Sequence, residues 1–206
     1  MGGKERQEKI NDFKKWSVGK AAKWLVDCAK EAQIDIDGFE HEISNYFQNH
    51  VLKEHGNPER EKARGQIAIN EDDFEKISSI VENPDHAMIG AKRDGKDVLY
   101  YVKKMDDGTT LYVENVINDK DNKGLFGKTM FKKAKNVSKD NFKNIVSMNN
   151  RTDVSKAKIV SPVGTGGNPS YAKVAANPTQ PSGPLSTDNI PQTAHNVKEN
   201  KEDFGA

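Results

Sequence analysis

Apolar residues recur at two different periods along this chain, and the change of period divides it. Ile10, Phe13, Trp16, Trp24, Leu25, Cys28, Ala29 and Ala32 return every three or four residues between about 4 and 33, the spacing of one amphipathic helix with a break near Gly19. A second helix is predicted from about Phe39 to His55, with Phe39, Ile43, Tyr46, Phe47, His50 and Val51 as its apolar stripe and Gly56-Asn57-Pro58 as its stop. A third starts after Asn70, whose side chain can cap the free amides of a first turn. Asp73 stands at the capping-box distance, and Phe74, Ile77 and Val81 face inward. Asn83-Pro84 ends it.

Beyond that stop the helical period gives way to alternation. Val98 to Val102, Leu111 to Ile117 and Leu125 to Phe131 are rich in aromatic and β-branched residues and read as strands, with Met88 to Ala91 as a first strand before them. Asp94-Gly95, Asp106-Asp107-Gly108 and Asp121-Asn122-Lys123-Gly124 separate them. Glycine supplies the positive φ such turns need, and connections this short exclude crossover helices, so the sheet is antiparallel. The expected class is α+β, N-terminal helices packed on a small antiparallel β-meander.

Composition limits how much of the chain can fold. Only 34% of the 206 residues are hydrophobic and 31% are charged, too little apolar surface to bury the whole chain. Six of the eight prolines lie in the last 45 residues, among Gly164, Gly166, Gly167 and many Ser, Thr and Asn. The expected organisation is therefore an amphipathic helix over 1–35, one domain over 36–135, and a basic linker leading into a disordered Pro/Gly/Asn-rich tail over 136–206.

Charge and cysteine narrow the setting. Lysine plus arginine total 32 against 31 acids, so any basic site has to be local. Cys28 is the single cysteine and fits a reducing compartment. With no signal-peptide core and no run of roughly 18 apolar residues, a cytosolic chain without a membrane span is expected.

The candidate chemistry starts with the histidines. His41, His50 and His55 fall in the second predicted helix; its angle places His41 near His55 in a polar stripe with Asn45 and Gln48, and turns His50 into the apolar face. His41-Glu42 opens like a zinc-protease helix, but Asn45 stands where the second ligand belongs. Along the last strand and its continuation, Lys123, Lys128, Lys132, Lys133, Lys135, Lys139 and Lys143 face one acid, Asp140. Alternation sets Thr129 and Phe131 on one side of that strand, with Lys128, Met130 and Lys132 on the other. A lysine-rich strand guards an edge against aggregation. With Tyr100, Tyr101, Tyr112, Phe126 and Phe131 nearby, it is equally a platform for RNA phosphates and bases.

Taken in order, His50-Val51-Leu52-Lys53-Glu54-His55-Gly56, Arg64-Gly65-Gln66-Ile67-Ala68-Ile69, Asp72-Asp73-Phe74, Asn83-Pro84-Asp85 and Lys128-Thr129-Met130-Phe131-Lys132 resemble the phage barnase/EndoU/colicin/RelE-like nuclease domains over roughly residues 37–135. Such domains occur in phage head-associated proteins and bacterial toxins. The resemblance implies a barnase-like fold and metal-independent, cofactor-free RNA cleavage by 2′-hydroxyl attack, leaving a 2′,3′-cyclic phosphate.

That reaction needs a base, an acid and a cation or hydroxyl donor for the phosphorane. His50 or His55 would serve as base or acid, Glu114 as a partner base, Thr129 as donor to a phosphate oxygen, and Lys132 or Lys103 as counter-charge. Lys103, Lys128, Lys133, Tyr101 and Phe131 would hold RNA. A cognate inhibitor protein is a further expected partner, and the termini would dock to a virion or secretion machine. The protein would then act in the cytoplasm, in a target cell or packaged in a virion. The rival reading is an inert module that binds RNA or protein without cutting it.

Overall fold

The computed structural model describes residues 13–148 and 151–162. In chain order these form β1 (Lys15–Lys20), α1 (Lys23–Glu31), β2 (Glu40–Ser44), α2 (Asn45–His55), α3 (Pro58–Ala63), β3 (Gln66–Ile67), α4 (Asp72–Glu75), α5 (Ile77–Glu82), β4 (His86–Arg93), β5 (Lys96–Met105), β6 (Gly108–Asp119), β7 (Asn122–Lys133), α6 (Lys139–Ser147), β8 (Thr152–Asp153) and β9 (Lys158–Val160). The class is α+β, built on one large, mostly antiparallel sheet. The tail over 163–206, like residues 1–12, lies outside the described residues.

The expected meander forms from β4 to β7, all antiparallel. Asp94 and Gly95 both take positive φ, 52° and 79°, which matches the turn twist to that of the flanking strands. The remaining strands extend the sheet to the order β1-β2-β7-β6-β5-β4-β8, with β3 also on β7 and β9 also on β4. β2 runs parallel to β7, placing His41 beside Leu125 and Glu42 beside Phe126. Among the described residues no helix is long and apolar enough to cross a membrane.

Both faces of the meander are apolar, so each requires a cover. On the first face, Leu99, Tyr101, Tyr112, Leu125 and Met130 meet Leu25 and Ala29 of α1, Phe47 and Val51 of α2, Phe74 of α4 and Ile77 and Ile80 of α5. On the second, Met88, Val98, Tyr100, Val102, Leu111 and Val113 meet Val137, Phe142 and Val146. The segment expected as a basic linker thus carries a sheet cover, α6, and two short strands on β4. Burying one face of a two-faced sheet would have left the other in water.

Two helix boundaries also differ from expectation. The helix predicted over 4–33 is instead β1 followed by α1 in the described part. Gly19 has φ 147°, outside the helical region, and sits at a bulge in the β1–β2 pairing. The second helix begins at Asn45 rather than Phe39, because Ser44 caps it, its hydroxyl accepting from the Phe47 N–H at 3.2 Å. Phe39, Ile43 and Phe47 are four apart, yet His41 and Ile43, both buried, alternate as strand residues. The capping box does form: Asn70 Oδ1 accepts from the Asp73 N–H at 3.2 Å, and Asp73 Oδ2 accepts from the Asn70 N–H at 3.0 Å.

Candidate active site

The Ser44 cap fixes the rotation of α2 and so decides where its histidines go. Phe47 and Val51 enter the first core, and at about 100° per residue His50 and His55 then lie about 140° apart on opposite flanks. His50 is exposed, a correction to its expected place on the apolar face. His55, in the last turn, packs on β7, its ring centroid 5.8 Å from that of Phe131 with the planes tilted by 32°.

The next helix supplies a partner for that imidazole. Asn57 caps α3 by accepting from the Arg60 N–H at 2.9 Å, and Pro58 occupies its first turn. This carries Glu61 under His55, with Nδ1 3.2 Å from Glu61 Oε2. Glu61 is fully buried, and its other oxygen accepts from Arg64 at 2.8 Å, which compensates a carboxylate removed from water. The pairing assigns the His55 Nδ1–H as donor to Glu61 and leaves Nε2 for another proton. The ring is 18% exposed, so it is reachable.

Beneath it, β7 presents the expected alternation. Leu125 and Met130 point into the first core, so Phe126, Thr129, Phe131 and Lys133 share the opposite face, all half-buried. Val113 pairs with Thr129 and Glu114 with Gly127, so Lys128 is the extra residue of a bulge, not a regular member of the inner face. Gly127 is required there: a Cβ on it would lie 2.9 Å from the Tyr112 hydroxyl and 3.2 Å from the Phe47 ring.

Several expected site residues are placed elsewhere. Glu114 is fully buried, accepting from the Tyr101 hydroxyl at 2.9 Å and paired with His41 Nδ1 at 2.9 and 3.0 Å. His41, expected in a polar stripe facing water, is itself 1% exposed, because it belongs to β2 and not to the helix. Tyr101 is sealed in the same core, where burial, then the Glu114 charge, pushes its hydroxyl pKa well above the ordinary value. None of these can touch a substrate as the molecule stands.

Lys132 is also interior, at 1% exposure, with Nζ 2.7 Å from both Asp73 Oδ1 and Asp107 Oδ2. Burial works against the Asp73 charge, but hydrogen bonds from Lys132, Lys76 and the Asn70 backbone outweigh it and hold its pKa below the usual 3.8. Lys103 Nζ bonds the Asn83 carbonyl at the end of α5.

The structure therefore brings His55 against Phe131, on a strand that also carries Lys128, Thr129 and Lys133, and sets His50, Glu114, Tyr101, Lys103 and Lys132 apart. Sequence reasoning missed Glu61 and Arg64. The available signal was a Pro-started helix with a carboxylate six residues past His55, but its burial depends on the docking of α3. Among the described residues no group of three or more His, Cys, Asp or Glu side chains is placed to share a metal ion.

No curated protein and no solved structure matches the chain. Residues 19–140, more than half of it, match the family model described as phage-Barnase-EndoU-ColicinE5/D-RelE like nuclease3. His55, Glu61 and the whole of β7 lie within that span, and the chain belongs to this nuclease family.

Proposed function

We propose that the protein is a metal-independent RNA endonuclease in which His55 carries the proton. The observation that supports this best is the fixed imidazole: Nδ1 held by buried Glu61, the ring against Phe131, on the strand that also bears Thr129 and Lys133. His55 Nε2 takes the proton of a 2′-hydroxyl, whose oxygen forms a bond to phosphorus. The P–O5′ bond breaks, and the imidazolium returns that proton to the departing 5′-oxygen. Glu61 stabilises the imidazolium between the two steps, as the carboxylate of a catalytic triad does.

Thr129 donates to a non-bridging phosphate oxygen, and Lys133 with Lys128 offsets the phosphorane charge. Phe131 offers a ring for a base. Buried Glu114, Tyr101 and Lys132 act in this reading as supports, holding β2, β6 and β7 in register. The barnase-like architecture expected from the sequence, and a toxin or phage-delivered role, rest on the family alone.

The test is incubation of the purified chain with end-labelled RNA in EDTA. Products ending in 2′,3′-cyclic phosphate, lost when the scissile nucleotide is 2′-deoxy, support the reading. RNA that is bound yet left intact would establish the inert binding module instead.

A further inference from the structure

Resting on that reading and extending it, we propose that the half-buried face of β7 is a track for single-stranded RNA, with Phe131, which also packs on the second core, stacking the base beside the scissile phosphate and Phe126 stacking a second base farther along. Phe126 points away from the first core, since Leu125 beside it points in, yet it belongs to neither core cluster. A half-buried aromatic ring that belongs to neither core has surface left for an outside partner.

The charges name the partner. Lys15 Nζ lies 5.3 Å from the Phe126 ring centroid and 2.6 Å from Glu42 Oε2, with its side chain 44% exposed. A cation resting on that ring face marks it as open to a planar base, and the flexible lysine stem can swing to the adjoining phosphate while Glu42 stays behind it. Lys128 in the bulge and Lys133 at the other end are further cations along the same strand. Opposite Phe126 on β6 lies Asn115, half-buried and able to reach a base edge.

Spacing sets the length of RNA required. Discounting the bulged Lys128, four strand steps separate Phe126 from Phe131, about 13 Å at about 3.3 Å per step. That exceeds a single nucleotide step, so a dinucleotide beside His55 fills only the Phe131 end, and a longer strand gains the second ring.

The experiment compares kcat/KM for a dinucleotide and a hexanucleotide sharing one scissile step, with the full-length wild type and Phe126→Leu. Wild type favours the hexanucleotide, and the variant loses roughly tenfold or more of that preference with an unchanged thermal melt. An unchanged preference in a folded variant overturns the track. A second arm uses fluorescence anisotropy with a labelled 2′-O-methyl hexanucleotide, which cannot be cleaved. Weaker binding by Phe126→Leu upholds the track even where wild type cuts nothing, in which case only the cleavage reading fails. Equal binding, or no binding by wild type, overturns the track. Should Phe126→Leu not fold, Lys15→Gln replaces it: the slope of log affinity against log salt shrinks by about 0.7, one phosphate contact on a single strand, and an unchanged slope counts against the track.

Discussion

Replacing Lys132 by methionine separates a structural lysine from a catalytic one. Lys132 and Asp73 are each 1% exposed and lie 2.7 Å apart, so the substitution leaves a buried carboxylate short of a charge. Removing one partner of such a pair costs about 3–5 kcal/mol. The lower end applies, because Lys76 at 2.9 Å and the Asn70 N–H at 3.0 Å still serve Asp73. A loss of about 3 kcal/mol is a large share of the roughly 5–15 kcal/mol that holds a domain together, and it lowers the melting temperature by roughly 6–12 °C.

Adding Asp73→Asn to Lys132→Met neutralises the stranded acid while keeping an oxygen to accept from Asn70, and at least about 1 kcal/mol returns. Urea unfolding followed by circular dichroism measures both variants, and cleavage is assayed at a temperature where each is folded. Full stability with abolished cleavage in Lys132→Met would refute this reasoning and put the ammonium on the phosphate.

Three further outcomes follow from the same structure. Asp107 is held below its usual pKa by its hydrogen bond from Lys132, and Asp73 is lowered as well. Their contribution is complete above the unfolded value of 3.8 and drains away as pH falls below it. Urea midpoints should therefore drop below about pH 4, and less steeply in Asp107→Asn. Glu61→Gln should lower kcat by roughly tenfold or more with KM little changed, because the imidazole loses its charged partner but not its place on Phe131. Gly127→Ala should cost about 1–3 kcal/mol in urea unfolding, since the Tyr112 hydroxyl and the Phe47 ring occupy the space a methyl needs.

What the sequence disclosed was what short-range physics determines. The meander was legible because its strands alternate and its turns carry Asp-Gly, and the Asn70–Asp73 box because both partners lie within one turn. The start of α2 was not, since Phe39, Ile43 and Phe47 satisfy a helical spacing even though Ser44 splits them into strand and helix. That one boundary reversed the histidines: His41 became a buried strand residue and His50 an exposed helix residue. Lys132 read as a surface cation because its two acids come from positions 59 and 25 residues away. Val137, Phe142 and Val146 are too sparse to announce a core until the second face of the sheet is seen to need them. Thr129 and Phe131 were placed correctly on one side, because their strand keeps its alternation past the bulge.

The central claim is that one imidazole, His55 on its Glu61 support, transfers the proton. His55→Ala and His50→Ala, compared on one RNA substrate after matched unfolding curves, test it directly. A loss of about a hundredfold or more with His55→Ala, and activity near wild type with His50→Ala, is the predicted result. Cleavage that survives without His55, or that vanishes without His50, would contradict it.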